Sequence, residues 1–211
     1  MTARSGIPVV VAAPSGTGKT TVCRKVVERD AQIEFSISHT TRERRPRERD
    51  GVDYHFVTPA EFERLVGEGA FLEWAVYNGN RYGTSWRAID APLAAGRDLL
   101  LEIEVQGARQ VRERRADARF IFLVPPTLAT LRQRLEQRGS DDSAAIAKRL
   151  AIARHEIEEG ARFDYVVVND DLDTCVADVL AILAAERSGD TARLRARHAP
   201  GPAIAELLRN R

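Results

Sequence analysis

The fold is decided by the stretch Ile7-Pro8-Val9-Val10-Val11-Ala12-Ala13 and by Pro14-Ser15-Gly16-Thr17-Gly18-Lys19-Thr20, which follows it directly. The first stretch is a continuous apolar run, which is typical of a strand buried on both faces of a parallel sheet. Residues 20–30 carry a helical pattern. The residues between strand and helix match the phosphate-loop pattern G-x-x-x-x-G-K-[ST], with Ala13 in the place of the first glycine. The sequence therefore predicts a nucleoside triphosphate site in a strand–loop–helix unit.

The composition of this loop follows from the chemistry of phosphate binding. Gly16 and Gly18 allow backbone N–H groups to turn inward around an anion, and the following helix adds its positive N-terminal end. Lys19 is expected to reach the β- and γ-phosphates, and the Thr20 hydroxyl is expected to ligate Mg²⁺. We predict that the triphosphate is bound by the whole loop, which comprises Ala13, Pro14, Ser15, Gly16, Thr17, Gly18, Lys19, Thr20 and Thr21.

The rest of the chain predicts an α/β fold, a doubly wound parallel sheet. Apolar runs at 99–105, 120–124 and 165–169 indicate three further strands, each followed by a helical pattern. Residues 35–84 alternate with period two around a short helix at 59–67, which indicates a small and mostly antiparallel insert. We therefore expect a core of residues 1–34 and 85–187, an insert of residues 35–84, a helical lid near residues 138–148, and a C-terminal tail of residues 188–211 with a short helix at 203–209.

The overall composition argues against a general nucleic-acid or membrane-surface binder. Thirty-two Lys and Arg residues stand against thirty-one Asp and Glu residues, for a net charge of +1, so an anion site has to be local. Cys23 and Cys175 have neither metal-ligand nor redox spacing, which favours a reducing compartment. No apolar run approaches the roughly 18 residues that cross a bilayer, and no signal-peptide pattern is present. We expect a cytoplasmic protein that binds neither nucleic acid nor membrane.

A cluster of arginines opens the predicted insert. Five arginines fall within the eight residues 42–49, and arginine forks bind phosphate oxygens in a bidentate manner. Tyr54 offers a further hydroxyl donor. Glu43, Glu48, Asp50 and Asp53 dilute this charge, so the residues alone leave three readings open: a phosphate site, a solvated charged loop, or a nucleic-acid contact.

The run from Ser38 to Phe56 resembles the nucleoside-monophosphate-binding segment of guanylate kinases. The matching residues are Ser38-His39-Thr40-Thr41-Arg42, with Arg45 and Glu48 beyond them, followed by Gly51-Val52-Asp53-Tyr54-His55-Phe56. The resemblance extends from the phosphate loop to Asn169-Asp170. It implies a phosphotransferase of purine nucleotide metabolism that transfers the γ-phosphoryl group of ATP reversibly to GMP, with Mg²⁺ as cofactor.

The resemblance also implies how GMP is held. It assigns the GMP phosphate to Arg42, Arg45, Tyr54 and Tyr82, with Glu48 in the same segment, and it assigns the guanine base to Ser38, Glu73 and Thr84. The chemistry agrees, because a carboxylate accepts from guanine N1–H and N2–H₂ together and a hydroxyl can donate to O6. Adenine would leave such a carboxylate unpaired, a mismatch that binding sites reject strongly. From the residues alone, a surface position on an edge strand is the favoured interpretation of Glu73, because charged side chains are mostly exposed.

Acidic and basic residues complete the expected site. Glu102 and Glu104 are predicted to lie on one face of a strand at the carboxyl edge of the sheet, where they would serve Mg²⁺ or hold GMP, with Glu102 as a metal ligand beside Thr20. The resemblance places Arg134, Arg138 and Arg149 in the lid over ATP, and Asn169 and Asp170 on its adenine side. We expect the transfer itself to be catalysed by cations supplied to the moving charge: Lys19, Arg42, Arg138 and Arg149.

Two other function classes stay open at this point. A catalytically silent module of the same fold would bind a phosphopeptide, but such modules typically lose the loop lysine and the lid arginines that this chain retains. A kinase of the same fold acting on another phosphorylated acceptor is the other alternative, against which Glu73 and Thr84 argue. The expected partners are the small molecules ATP and GMP, and the chain is expected to be a monomer or a homodimer.

Overall fold

A computed structural model describes residues 4–77, 79–137 and 143–209 of the 211-residue chain. The strands are β1 (Pro8–Ala12), β2 (Ile33–Phe35), β3 (His39–Thr40), β4 (His55–Phe56), β5 (Phe71–Tyr77), β6 (Asn80–Ser85), β7 (Asp98–Glu102), β8 (Arg119–Val124) and β9 (Tyr165–Val168). The helices are α1 (Lys19–Arg29), α2 (Pro59–Gly67), α3 (Arg87–Ala94), α4 (Val105–Arg114), α5 (Leu128–Glu136), α6 (Ser143–Glu159), α7 (Leu172–Ser188), α8 (Ala192–Arg197) and α9 (Pro200–Arg209), with a 3₁₀ turn at Gly160–Arg162.

A five-stranded sheet has the strand order β2-β7-β1-β8-β9, and its β2–β7 and β8–β9 pairs are parallel. Strand β1 is buried along its whole length and β8 is buried from Phe120 to Val124, because these apolar runs have no polar face to present to water. The predicted α/β fold with a parallel sheet is confirmed. The edge strand β2 was not predicted, because its three residues include Glu34 and form no apolar run.

A separate four-stranded sheet, of order β4-β3-β6-β5, carries the period-two pattern of the predicted insert. The β3–β6 and β5–β6 pairs are antiparallel and the β3–β4 pair is parallel. The sheet is therefore mostly antiparallel, as expected. Helix α2 occupies the predicted span, with Thr58 as N-cap accepting from the Glu61 backbone N–H at 3.1 Å and Pro59 in the first turn, where proline is tolerated.

The chain divides into two compact units. One contains residues up to Val10 together with Gln32–Arg119, and the other contains Val11–Ala31 together with Phe120–Arg211. The first unit holds β2 to β7, and the second holds the phosphate loop with α1, β8, β9 and the helices from α5 onward. The expected division into core, insert, lid and tail stays a prediction.

Two segments differ from the sequence-based expectation. The tail is helical over α8 and α9, since Pro200 and Pro202 lie in the first turn of α9, where no intrahelical N–H is needed, and Ile204 and Leu207 are buried one turn apart. Helix α6 begins at Ser143, so the second half of the predicted lid is helical, while residues 138–142 lie outside the described residues. None of the described helices is long and apolar enough to cross a membrane.

Candidate active site

The phosphate loop lies wholly in the second unit, between β1 and α1. Gly16 and Gly18 have φ angles of 96° and 93°, which L side chains rarely adopt, so the loop requires glycine at both positions. A Cβ on Gly18 would also lie 2.9 Å from the side-chain nitrogen of Asn169. Gly18 is the N-cap and α1 begins at Lys19, so the helix directs its first-turn N–H groups and its positive end toward the loop.

Two side chains of the same unit hold the loop backbone in place. The Asn169 Nδ2 donates to the Thr17 carbonyl oxygen at 2.6 Å, and Arg134 Nη1 approaches the same oxygen at 3.4 Å. Arg134 Nη2 donates in turn to the Asn169 carbonyl oxygen at 3.0 Å. Asn169 is 6% exposed, which leaves it little contact with solvent. In this structure both residues position the loop, and their expected contacts with ATP stay predictions.

The remaining predicted ATP contacts differ in exposure. Ala13 and Pro14 are buried, Ser15 and Lys19 are half-buried, and the hydroxyl-bearing Thr20 and Thr21 are exposed. Arg149 is half-buried on α6 and Asp170 is exposed after β9. Arg138, predicted both to bind ATP and to be catalytic, lies outside the described residues.

Thr20 fits a magnesium ion that arrives with the nucleotide. Its hydroxyl is a hard oxygen ligand in the first, exposed turn of α1, directly after Lys19. Mg²⁺ in kinase sites takes one or two protein oxygens and completes its octahedron with phosphate and water oxygens. Across residues 4–77, 79–137 and 143–209 there is no cluster of three His, Cys, Asp or Glu side chains that could hold a metal.

The first unit brings together the side chains of Arg42, Tyr54, Tyr82 and Glu48, which were assigned to the GMP phosphate, while the side chain of Arg45 is exposed. Arg42 Nη2 donates to Glu48 Oε1 at 2.7 Å, and the Arg45 backbone N–H donates to Glu48 Oε2 at 2.9 Å. The Arg42 guanidinium lies 5.5 Å from the centre of the Tyr54 ring, and that ring meets the ring of Tyr82 edge-on at 6.0 Å. Glu48 thus holds Arg42 among the two tyrosines.

The electrostatics of this cluster favour its charged form. The hydrogen bond from Arg42 lowers the pKa of the Glu48 carboxyl below its usual 4.5, and the same bond raises the pKa of Arg42. Both side chains are less than one-fifth exposed. Arg42 therefore remains a fixed cation at neutral pH, as a phosphate site needs.

Three further polar residues form a line on the same sheet. Glu73 on β5 is opposite Thr84 on β6. The Thr84 backbone N–H and its Oγ1 both donate to Glu73 Oε1, at 2.9 and 2.6 Å, and Ser38 Oγ lies 3.2 Å from Thr84 Oγ1. Glu73 is 3% exposed, so the interpretation of this residue as a surface position is wrong. A buried carboxylate held by two hydrogen bonds is arranged to accept from a ligand of defined shape.

Glu102 and Glu104 are not on one strand face as predicted. Strand β7 ends at Glu102, and Glu104 is the N-cap of α4, with Ile103 between them. The prediction failed because Ile103 and Val105 extend the apolar pattern of the strand up to the start of α4, so the sequence pattern does not mark where the strand ends. Both carboxylates are half-buried in the first unit at the carboxyl end of a parallel strand, which is where ligands bind in such sheets.

Three residues that contact the predicted site residues or their neighbours in the chain were not identified from the sequence. Gly107 and Gln110 on α4 contact Glu73 and the backbone of Trp74, and Thr40 accepts from the Arg42 backbone N–H at 3.1 Å. Gly107 carried a usable signal, since glycine inside a helix costs stability and usually has a packing reason. Gln110 carried none.

A parallel sheet with a phosphate loop between its first strand and first helix, accompanied by a second polar site on a small sheet, defines a phosphate-loop kinase. The family model described as guanylate kinase matches residues 5–186. A protein named guanylate kinase from Alkalilimnicola ehrlichii is 47% identical over 97% of this chain and 98% of its own, and one from Symbiobacterium thermophilum is 46% identical over 87% of both chains. The crystal structure of guanylate kinase from Anaplasma phagocytophilum is similar with a TM-score of 0.73, 33% identity and 92% coverage of both chains. The chain belongs to the guanylate kinase family.

Proposed function

We propose that this chain transfers the γ-phosphoryl group of ATP reversibly to GMP, giving ADP and GDP. Membership of the guanylate kinase family supports the reaction class. The observation that carries the choice of base is the buried carboxylate of Glu73, whose Oε1 is held by the backbone and hydroxyl of Thr84. A carboxylate in that position rejects any base without adjacent N–H donors, because the mismatch would leave a buried charge unpaired.

Base recognition divides between Glu73 and a hydroxyl. Glu73 accepts from guanine N1–H and N2–H₂. Thr84 already donates its hydroxyl proton to Glu73, so the proton that guanine O6 needs comes from Ser38, 3.2 Å from Thr84. The sequence allowed the hydroxyl of either Ser38 or Thr84 to donate to guanine O6, and this assignment selects Ser38.

The phosphate of GMP is held by Arg42 and Arg45 with the hydroxyls of Tyr54 and Tyr82. Glu48 orients Arg42 through its 2.7 Å hydrogen bond, so the guanidinium is fixed before GMP arrives. Preorganised cations of this kind hold the acceptor oxygen in line with the γ-phosphorus, and positioning supplies most of the catalysis in phosphoryl transfer.

In the transfer step, an oxygen of the GMP phosphate forms a bond to the γ-phosphorus of ATP. The bond from that phosphorus to the β-phosphate oxygen breaks, and ADP leaves with its electron pair. Lys19, Arg138 and Arg149 neutralise the charge that moves during this exchange, and one arginine in such a place is worth about 10³–10⁵ in rate. Thr20 would hold the Mg²⁺ ion that comes with ATP, with Glu102 as a further predicted ligand, and the ion would neutralise charge at the phosphates.

The proposal includes a cytoplasmic location and a monomer or homodimer that works on small molecules alone. Cys23 and Cys175 are both buried and neither is in a disulfide, which suits a reducing compartment.

The test is ADP production from ATP and Mg²⁺ with GMP, AMP, CMP or UMP as acceptor. The wild-type chain is expected to turn over GMP alone. Glu73→Gln replaces one acceptor oxygen by an amide, and we expect kcat/KM for GMP to fall by about a hundredfold or more. The matched control is Glu63→Gln, since the carboxylate of Glu63 is 64% exposed on the surface of the same unit.

Turnover of AMP at a rate similar to that of GMP would overturn the choice of base. Absence of turnover with all four acceptors would overturn the reaction and favour a binding module. A Glu73→Gln variant that retains full activity would remove Glu73 from recognition.

A further inference from the structure

One face of α4 is docked on the backbone that carries Glu73. Gly107, Gln110 and Arg114 are spaced at i, i+3 and i+7, so they share this face. Gln110 pairs with Trp74 in both directions, since its Oε1 accepts from the Trp74 N–H at 3.2 Å and its Nε2 donates to the Trp74 carbonyl at 2.7 Å. Arg114 donates to the Leu72 carbonyl at 2.6 Å. The helix therefore holds the residues on both sides of Glu73.

These hydrogen bonds occupy an otherwise open strand edge. Strand β5 is the last in the order β4-β3-β6-β5, so the backbone groups on its outer side have no strand partner in the described sheet. Edge backbone groups that are removed from water need another partner. Gln110 supplies a donor and an acceptor in the geometry that a neighbouring strand would offer, and so sets the position of β5 against α4.

Gly107 leaves the space in which the Glu73 carboxylate lies. A Cβ built on Gly107 would be 2.3 Å from Glu73 Oε2 and 3.1 Å from Glu73 Cδ, and the first of these distances is shorter than real Cβ contacts. The carboxylate has little freedom to withdraw, because its other oxygen is held by Thr84 at 2.9 and 2.6 Å and the residue is 3% exposed. Any side chain at position 107 would force Glu73 away from these donors.

We propose that Gly107 and Gln110 are positioning residues for base recognition in this site. Gly107 admits the carboxylate of Glu73, and Gln110 fixes the backbone beside it, so that Glu73 is aimed before the base binds. The inference rests on the proposed function, because it takes Glu73 as the residue that accepts from guanine. Neither residue belongs to the phosphate-binding cluster, so both act on recognition of the base and leave phosphoryl transfer unchanged.

The test compares steady-state kinetics of Gly107→Ala with those of the wild type, using GMP and IMP, which lacks the N2 amine. We expect KM for GMP to rise about tenfold or more, because one charge-assisted hydrogen bond is misaligned. The ratio of kcat/KM for GMP to that for IMP is expected to fall as well. Both kcat and KM for ATP are expected to stay within about twofold, which is the result when a substitution weakens the binding of the substrate and of the transition state equally. The matched control is Gly67→Ala at the end of α2 in the same unit, where an added Cβ meets nothing within 4 Å.

A double-mutant cycle with Glu73→Asp separates positioning from packing. The shorter side chain withdraws the carboxylate by one methylene, so the methyl group at position 107 then has room. In the Glu73→Asp background, Gly107→Ala is therefore expected to change KM for GMP by less than about twofold. The difference from its larger effect in the wild-type background would show strong coupling between the two positions. Effects that multiply independently would overturn the inference.

Gln110→Met provides a second route if Gly107→Ala folds poorly. Methionine has a similar length but neither donor nor acceptor, so Trp74 loses both hydrogen bonds, and we expect the same rise in KM for GMP with KM for ATP unchanged. Equal rises in both KM values, or an unchanged KM for GMP, would overturn the inference. A wild-type chain that does not turn over GMP would instead overturn the proposed function, so the two failures are distinguishable.

Discussion

The side-chain nitrogen of Asn169 donates to the carbonyl oxygen of Thr17 at 2.6 Å, which ties the residue after β9 to the phosphate loop. Asn169 is buried, and its own carbonyl accepts from Arg134. The shape of the loop, and with it the direction of its N–H groups, therefore depends on a residue more than 150 positions away in sequence.

Replacing Asn169 by alanine is expected to loosen the loop. The buried Thr17 carbonyl loses its shorter hydrogen bond, which costs about 1–3 kcal/mol, and KM for ATP rises more than KM for GMP because only the loop is displaced. Urea unfolding and steady-state kinetics measure the two effects. The control is Gln133→Ala, an exposed amide on α5. Equal changes in both KM values would contradict the assignment of Asn169 to the loop.

The ion pair between Arg42 and Glu48 predicts a pH dependence of stability. Because folding lowers the pKa of Glu48 below 4.5, the folded state favours the ionised carboxyl, so the pair stabilises the fold above about pH 4.5. This contribution is lost as the pH falls through the lowered pKa. We expect Glu48→Gln to cost about 1 kcal/mol of unfolding free energy at neutral pH and progressively less in acid.

Urea titrations of the wild type and of Glu48→Gln at a series of pH values between neutral and acid measure this difference. Glu68→Gln is a suitable comparison, since its carboxylate is half-exposed and also paired with an arginine. A difference between wild type and Glu48→Gln that stays constant into acid would refute the assigned pKa shift.

Two neighbouring imidazoles predict a second loss of stability in acid, which begins at a higher pH than that of the Arg42–Glu48 pair. The His39 and His55 rings are 4.7 Å apart, and His39 also meets Phe71 edge-on at 5.4 Å. Burial lowers the pKa of His39 below 6.5, and His55 acts in the same direction, while Glu61 and Asp50 oppose them. The unfolded chain therefore takes up a proton more readily than the folded one. As a result, the free energy of unfolding has its full value above about pH 6.5 and falls in more acidic solution.

The variant His39→Phe keeps a ring against Phe71 and removes the titration. Its free energy of unfolding is expected to decline less than that of the wild type between about pH 7.5 and about pH 5.5, the range in which histidine titrates. His155→Phe serves as control, because that imidazole is 73% exposed. Parallel curves for wild type and His39→Phe would disprove the prediction.

The C-terminal helices are expected to stabilise the second unit without taking part in the reaction. The Val166 N–H of the edge strand β9 donates to the His198 carbonyl at 2.9 Å, and Ile204 is buried against Gly160. Ile204→Ala is expected to cost about 2–4 kcal/mol in unfolding free energy while KM for GMP stays unchanged. Thermal and urea unfolding measure the loss, with the exposed Glu206→Ala as control. A loss below about 0.5 kcal/mol is typical of a surface substitution and would contradict the buried position of Ile204 against Gly160.

The sequence by itself determined those features that depend on local pattern. The apolar run before Gly16 and Gly18, and the lysine after them, were sufficient for the strand, the loop and the helix, because each is specified by neighbouring residues. Strands β1, β8 and β9 and helix α2 were predicted close to their observed bounds for the same reason, whereas the predicted strand at 99–105 ran past the end of β7 at Glu102.

The tertiary structure alone decided which residues position the functional groups. The short strand β2, the end of β7 before Glu104, the loop-holding hydrogen bond of Asn169 and the fit of Gly107 against Glu73 all depend on contacts between segments far apart in sequence. Burial of the Glu73 carboxylate belongs to the same group, because residue composition indicates an exposed glutamate until packing supplies the hydrogen bonds that offset its desolvation. Local sequence pattern specifies an element, while the environment of a side chain is set only when the elements pack.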